Sequence, residues 1–164
     1  MLSLSQSSYI DTVIARFSMQ TAKKGLLPFR HGVPLSKDQC PKTDKEKEEM
    51  RLVPYASAVG SLTYAMLCTR PDISFSVGMV ARYQSNPGQA HWTAVKHILK
   101  YLKRTRDVQL VYQEDSLCPV GFTDSDFQAD RDEKRSTSGY AFILPQVQKA
   151  ITVCCDNAGA IANA

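Results

Sequence analysis

Two aspartates stand where a carboxylate could serve a cation. Asp124 lies in GFTDSDF, inside an alternating apolar run, and Asp156 closes the run ITVCCD. A carboxylate within or at the end of a buried strand is costly unless it is paired or binds metal. Mg²⁺, a hard ion that takes oxygen ligands and keeps several waters, suits such groups. Hydrolysis of a phosphodiester by two Mg²⁺ ions needs several carboxylates around metals roughly 3.5–4 Å apart. Asp124 and Asp156, the candidate catalytic and metal-ligating pair, would hold one ion loosely and could hardly fix two. Asp126 shares a face with Asp124 in a regular strand and reads as a surface residue. Taken singly, each member of the pair reads first as a strand-end cap or a loop contact.

A second cluster is cationic. In AHWTAVKHILKYLKR, residues 90–104, Trp92, Val95, Ile98, Leu99 and Leu102 lie on one side of a helix. Lys96, Lys100, Lys103 and Arg104 follow i, i+4, i+7, i+8 spacing and gather on another face. Clustered Lys and Arg attract nucleic acid by releasing its condensed counterions, so these four are the candidate nucleic-acid contacts. The plainer reading, a solvated basic face, fits the pattern equally. His91 and His97 read as surface or packing histidines. No Walker A loop, nucleophile elbow, His-Glu-x-x-His helix or dinucleotide fingerprint occurs.

The elements that must position these residues change character along the chain. Ile10, Val13, Ile14 and Phe17 predict a helix over 7–19, capped by Ser7 or Ser8. Residues 20–44 collect Gly25, Pro28, Gly32, Pro34 and Pro41 and predict an irregular segment lying on something else. KTDKEKEEMR reads as a solvated loop leading into a helix. Pro54 opens that helix, with Tyr55, Val59, Leu62 and Met66 as its stripe. Ala56, Ala58, Gly60 and Ala65 are small enough to admit a neighbouring helix. Arg70-Pro71-Asp72 breaks the run and starts another helix to about Tyr83, and Asn86-Pro87-Gly88 is a stop. Beyond Asp107 the pattern turns to strands: 108–112, 120–127, 140–144 and 151–155, with a polar hairpin loop between the second and third. A helix too short to stand alone begins at Asn157. The fold class expected is α+β, helices first and a small sheet last.

Composition sets outer bounds. With 164 residues, 43% of them apolar, there is material for one compact domain or two small ones. The net charge of +4 conceals a basic stretch through residue 112 and an acidic one after it, which suggests different partners for the two. No apolar run reaches the length of a membrane span, and the N-terminus lacks the basic and apolar regions of a signal peptide. An intracellular protein, cytoplasmic or nuclear, is expected. The five cysteines have no zinc spacing and read as reduced, mostly buried thiols.

Several blocks carry a resemblance. LSQSSYIDTVIARFSM, GLLPFRHGVPLSKDQCPKT, PYASAVGSLTYAMLCTRPDISFSV, RYQSNPGQAHWTAVKHILKYLKRT and GFTDSDFQADRDEKRSTSGYAFIL resemble, in order and spacing, consecutive blocks of plant copia-type retrotransposon Pol polyproteins. The likeness covers nearly all of residues 3–144. It implies that residues 1–112 are the end of a reverse transcriptase and its thumb- or connection-like part, and that 113–164 are an RNase H-like mixed sheet. It implies Mg²⁺ as the parent's cofactor, with no tight binding expected here. The implied partners are an RNA–DNA hybrid or DNA, no membrane, and the remainder of a Pol polyprotein.

The departures from that pattern are as informative as the matches. The family's polymerase motif, Tyr-x-Asp-Asp, occurs nowhere, so no polymerase activity is expected of this chain. Asp124 matches the first catalytic aspartate of the RNase H part and Asp156 a later one. The segment that carries the catalytic glutamate between them is missing, because Leu144 runs through PQVQKA to Ile151. A deletion near 145–150 is inferred; it would also remove a helix that covers the sheet. The resemblance places a final acidic ligand beyond residue 164, so this chain is expected to lack it. Asp124 and Asp156 are therefore vestigial by this resemblance. Three readings follow: a catalytically silent Pol remnant, a non-catalytic nucleic-acid-binding module using residues 90–104, and a residual metal-dependent nuclease.

Overall fold

A computed structural model describes residues 2–29, 34–112, 120–125, 130, 132–136 and 138–143. The described residues form β1 (Leu2–Leu4), α1 (Ser7–Arg16), α2 (Asp44–Arg51), α3 (Tyr55–Cys68), α4 (Ser74–Ala81), α5 (Gln89–Arg104), β2 (Leu110–Tyr112), β3 (Val120–Ser125) and β4 (Ser138–Ile143). Short 3₁₀ turns sit at Lys37–Gln39 and Pro71–Ile73. The described residues mix helices with two two-stranded sheets, β1 with β2 and β3 with β4, in keeping with the α+β class, although β1 precedes the helices where the sequence pattern placed strands only after them. The chain divides into a helical unit, Ser3–Leu110, and a second unit of Met1–Leu2 with Val111–Ala164.

The helical unit is built from matching apolar stripes. Ile10, Val13 and Ile14 of α1, Tyr55, Ala58, Val59, Leu62 and Ala65 of α3, Val77 and Val80 of α4, and Ala94, Val95, Ile98, Leu99 and Leu102 of α5 are all buried in one cluster. Each large aliphatic side chain so buried contributes roughly 1.5–3 kcal/mol. Of the small residues on α3, Ala58 and Ala65 are the buried ones; Ala56 and Gly60 face solvent. Met66 is half-buried at the margin. Buried Tyr55 donates its hydroxyl to the Val80 carbonyl at 2.7 Å, joining α3 to α4.

Two boundaries differ from the sequence pattern for clear reasons. α1 stops at Arg16, short of residue 19, because Ser18 takes a left-handed backbone with φ 55°. The Met19 N–H then reaches the Ile14 carbonyl (2.9 Å) and the Ser18 N–H that of Ala15 (3.0 Å), a Schellman closure. Met19 is thereby folded inward and buried. The run KTDKEKEEMR, expected as a loop, holds the helix α2. Apolar periodicity could not reveal it, since it buries nothing. Thr43 and Glu46 form a reciprocal capping box: Glu46 N–H donates to Thr43 Oγ1 (3.2 Å) and Thr43 N–H to Glu46 Oε2 (3.0 Å). Those backbone donors hold the Glu46 carboxyl below its usual range.

In the second unit β3 and β4 pair antiparallel, Thr123 opposite Tyr140 and Asp124 opposite Gly139. Tyr140 and Phe142 share a face and meet edge to face at 6.0 Å. Phe142 lies over Gly121, where an added Cβ would fall 2.9 Å from its ring. The strands expected at 151–155, the helix expected from Asn157 and the deletion expected near 145–150 lie outside the described residues.

Candidate nucleic-acid interface

The start of α5 is set by Gly88 and His91. A Cβ at Gly88 would fall 1.8 Å from the Gln39 carbonyl oxygen, so only glycine fits this close approach. The Gly88 N–H donates to His91 Nδ1 at 2.8 Å. With Nδ1 accepting, Nε2 carries the hydrogen and donates to the Ser36 carbonyl at 3.1 Å. The ring also stacks on Tyr83 at 4.0 Å. His91 is fully buried, which decides for packing between the surface and packing readings left by the sequence pattern.

The far end of α5 is fixed by a polar cluster that the sequence reading treated only as a helix breaker. Arg70, 1% exposed, grips Asp72 with Nε (2.9 Å) and Nη2 (2.7 Å). Its Nη1 donates to the Thr105 carbonyl (3.0 Å) and its Nη2 to Thr105 Oγ1 (2.6 Å). The Tyr101 hydroxyl donates to Asp72 Oδ2 at 2.8 Å. Burial pushes the Asp72 carboxyl up, but the hydrogen bonds from Arg70 and Tyr101 outweigh it and its pKa is lowered. Tyr101 is raised, by burial and then by its bond to Asp72. The legible signal was an arginine and an aspartate flanking a proline, whose fixed φ turns the two side chains back on each other.

Between these ends, α5 turns its apolar stripe inward and leaves Lys96, Lys100, Lys103 and Arg104 off the core. The structure gives the four different settings. Lys96 Nζ lies 5.9 Å from the centroid of the Trp92 ring, one turn back, a cation–π contact. Half-buried Lys100 presents its carbonyl to the Gly25 N–H at 2.9 Å. Lys103 Nζ donates to the Ala22 carbonyl at 2.7 Å and also to that of Gln20. Arg104 is exposed. Helical spacing brought the four together but could not show that Lys103 is committed to two backbone carbonyls.

Asp124 is exposed on β3, across from Gly139. Asp126 and Asp156 lie outside the described residues. Among the described residues, no group of three or more His, Cys, Asp or Glu is gathered as a metal would require. Asp124 is the one member of the candidate metal-binding pair that the described residues include. Of the cysteines, Cys40 is half-buried and Cys68 is exposed at the end of α3, a departure from the expectation of burial. No helix among the described residues is long and apolar enough to cross a membrane.

The retrovirus-related Pol polyprotein from transposon TNT 1-94 of Nicotiana tabacum is 48% identical over 139 residues, 85% of this chain and 10% of that protein. The corresponding polyprotein from transposon RE2 of Arabidopsis thaliana is 33% identical over 144 residues, 87% of this chain and 9% of that protein. Secreted RxLR effector protein 161 of Plasmopara viticola is 42% identical over 96 residues, 58% of this chain and 68% of that protein. No family model matches the chain, and no solved structure does. The chain spans about a tenth of the length of the two polyproteins. Pol polyproteins of plant transposons and a putative yeast transposon protein align over most of the chain, and the chain belongs to the retrovirus-related Pol polyproteins of retrotransposons.

Proposed function

We infer that the chain corresponds to the end of a copia-type reverse transcriptase and its connection, residues 1–112, followed by an RNase H-like portion, 113–164, and that it cleaves no phosphodiester by itself. Asp124 carries this reading. It stands exposed in a two-stranded hairpin, opposite a glycine, and belongs to no group of three or more His, Cys, Asp or Glu among the described residues. Two-metal hydrolysis needs several converging oxygens, and the sequence between Leu144 and Ile151 has no glutamate to add. The parent polyprotein would couple RNA-directed DNA synthesis with removal of the RNA strand from RNA–DNA hybrids. The setting of this reading is intracellular, cytoplasmic or nuclear. Its test is cleavage of a labelled RNA–DNA hybrid in Mg²⁺ and then Mn²⁺, beside an Asp124→Asn control. The expected result is no cleavage by either protein; cleavage that the control abolishes would overturn the reading.

A second reading concerns binding, and the observation behind it is α5. Its sequence contains no acidic residue, and Lys96, Lys100 and Arg104 stand off the core with none of their side chains in an ion pair with a carboxylate among the described contacts. Such a face suits the phosphates of a nucleic-acid duplex, whose released counterions drive association at low salt. Binding without cleavage is what this surface supports.

A further inference from the structure

The segment from Gln20 to Leu27 lies as a strap on α5. It is anchored at three backbone positions: the carbonyls of Gln20 and Ala22 receive Lys103 Nζ, and the Gly25 N–H donates to the Lys100 carbonyl. The approach at Gly25 is close. A Cβ there would lie 3.0 Å from Lys100 Cβ and 3.2 Å from the Tyr101 nitrogen. Between the anchors sit Lys23 and Lys24, both exposed. Each is bonded to an anchored residue, and one peptide step is about 3.8 Å. The anchors therefore hold the backbone of two further lysines beside the Lys100–Lys103 turn of α5.

The two chain segments that meet at this junction carry charge of one sign. From Thr12 to Lys37 there is no acidic residue, and from Ile73 to Arg106 there is none. The strap belongs to the first stretch and α5 to the second. Like charges held this close repel, at a cost that falls with added salt. An arrangement that pins the strap against α5 despite that repulsion is suited to a polyanion lying across both.

We propose that the strap is the second wall of a nucleic-acid-duplex site: Lys23 and Lys24 contact phosphates together with α5, and Lys103 and Gly25 are positioning residues that hold the strap in place. The proposal rests on the binding reading of α5 and deepens it. Lys103 is thereby reassigned from phosphate contact to anchor, since its ammonium already serves two carbonyls.

The test is the salt dependence of binding to a short fluorescent RNA–DNA hybrid, between about 50 and 200 mM salt, where the slope reports phosphate contacts at roughly 0.7–0.9 each. The full chain is compared with Lys23→Ala/Lys24→Ala, Lys100→Ala/Arg104→Ala, Lys103→Met, Lys103→Arg, and the triple variant Lys23→Ala/Lys24→Ala/Lys103→Met. The strap double variant should lower the slope by about 1.4–1.8 and weaken binding at least tenfold at the lower salt. Lys103→Met should lower the slope by a similar amount, the triple variant no further, and Lys103→Arg should restore it. A strap variant that binds like the parent chain, while Lys100→Ala/Arg104→Ala binds worse, overturns the strap and leaves the α5 reading standing. A triple variant with a further drop of about 1 shows Lys103 on a phosphate and overturns its positioning role. No salt-dependent binding by the parent chain overturns both readings.

Discussion

In the helical unit each apolar stripe meets another, so that Ile10, Leu62, Val80 and Leu99 are all about 1% exposed or less. In the β3–β4 hairpin, Tyr140 and Phe142 lie on one face at 81% and 72% exposure, with mainly each other and Gly121 to touch. The two regions contain similar apolar residue types but differ in what faces them. Two strands have no interior: antiparallel pairing satisfies backbone groups, yet burial needs a further layer. Hydrophobic residues therefore stabilise the first region and contribute little to the second.

The widest gap between the regions should appear on truncating one side chain in each. Leu99→Ala opens a cavity in a closed core and should cost about 2–5 kcal/mol in urea unfolding of the helical unit. Phe142→Ala removes an exposed ring and should fall within about 0.5 kcal/mol of the parent chain. Equal losses would mean that the Phe142 face is covered in solution, and the contrast drawn here would be wrong.

How far the sequence exposed this difference depended on the kind of interaction involved. α5 was legible almost to the residue because Val95, Ile98, Leu99 and Leu102 carry its stripe. α2 was not, because its stability comes from Thr43, Glu46 and the pairs Asp44–Lys47 and Glu48–Arg51, none of which leaves an apolar period. Arg70-Pro71-Asp72 was read correctly as an interruption, but its partners Tyr101 and Thr105 lie some thirty residues on. Local patterning is blind to such contacts. The same limit applied to the site: spacing grouped Lys96, Lys100, Lys103 and Arg104, whereas the strap carbonyls that separate Lys103 from the others come from residues 20 and 22.

The Arg70–Asp72–Tyr101 cluster gives the helical unit a pH dependence of its own. Asp72 has a lowered pKa in the fold, so its contribution is complete above the unfolded value near 4 and is lost as pH falls through the lower folded value. Its side chain is 37% exposed, and solvent screening limits the effect to about 1 kcal/mol. Unfolding followed from pH 6 downward should show this contribution intact to about pH 4 and draining below it, with a shallower decline in Asp72→Asn. Identical profiles for the two proteins would remove the cluster as a source of acid sensitivity.

The smallest expected effect is a gain, and it concerns how the helical unit closes its first stripe. Ser18 pays the steric cost of a left-handed backbone at the C′ position of α1, where glycine is the usual residue because it has no Cβ to clash. That strain persists because it turns Met19 into the core, 6% exposed, beside Phe17. Ser18→Gly keeps both closing hydrogen bonds and relieves the strain, while making the unfolded chain more flexible. The first effect outweighs the second at a site with φ near 55°, so the variant should be more stable by about 0.5–1 kcal/mol. Thermal unfolding of the two proteins measures this directly. A loss of stability would mean that the Ser18 hydroxyl supports the turn, and that α1 is closed by a side chain as well as by its backbone.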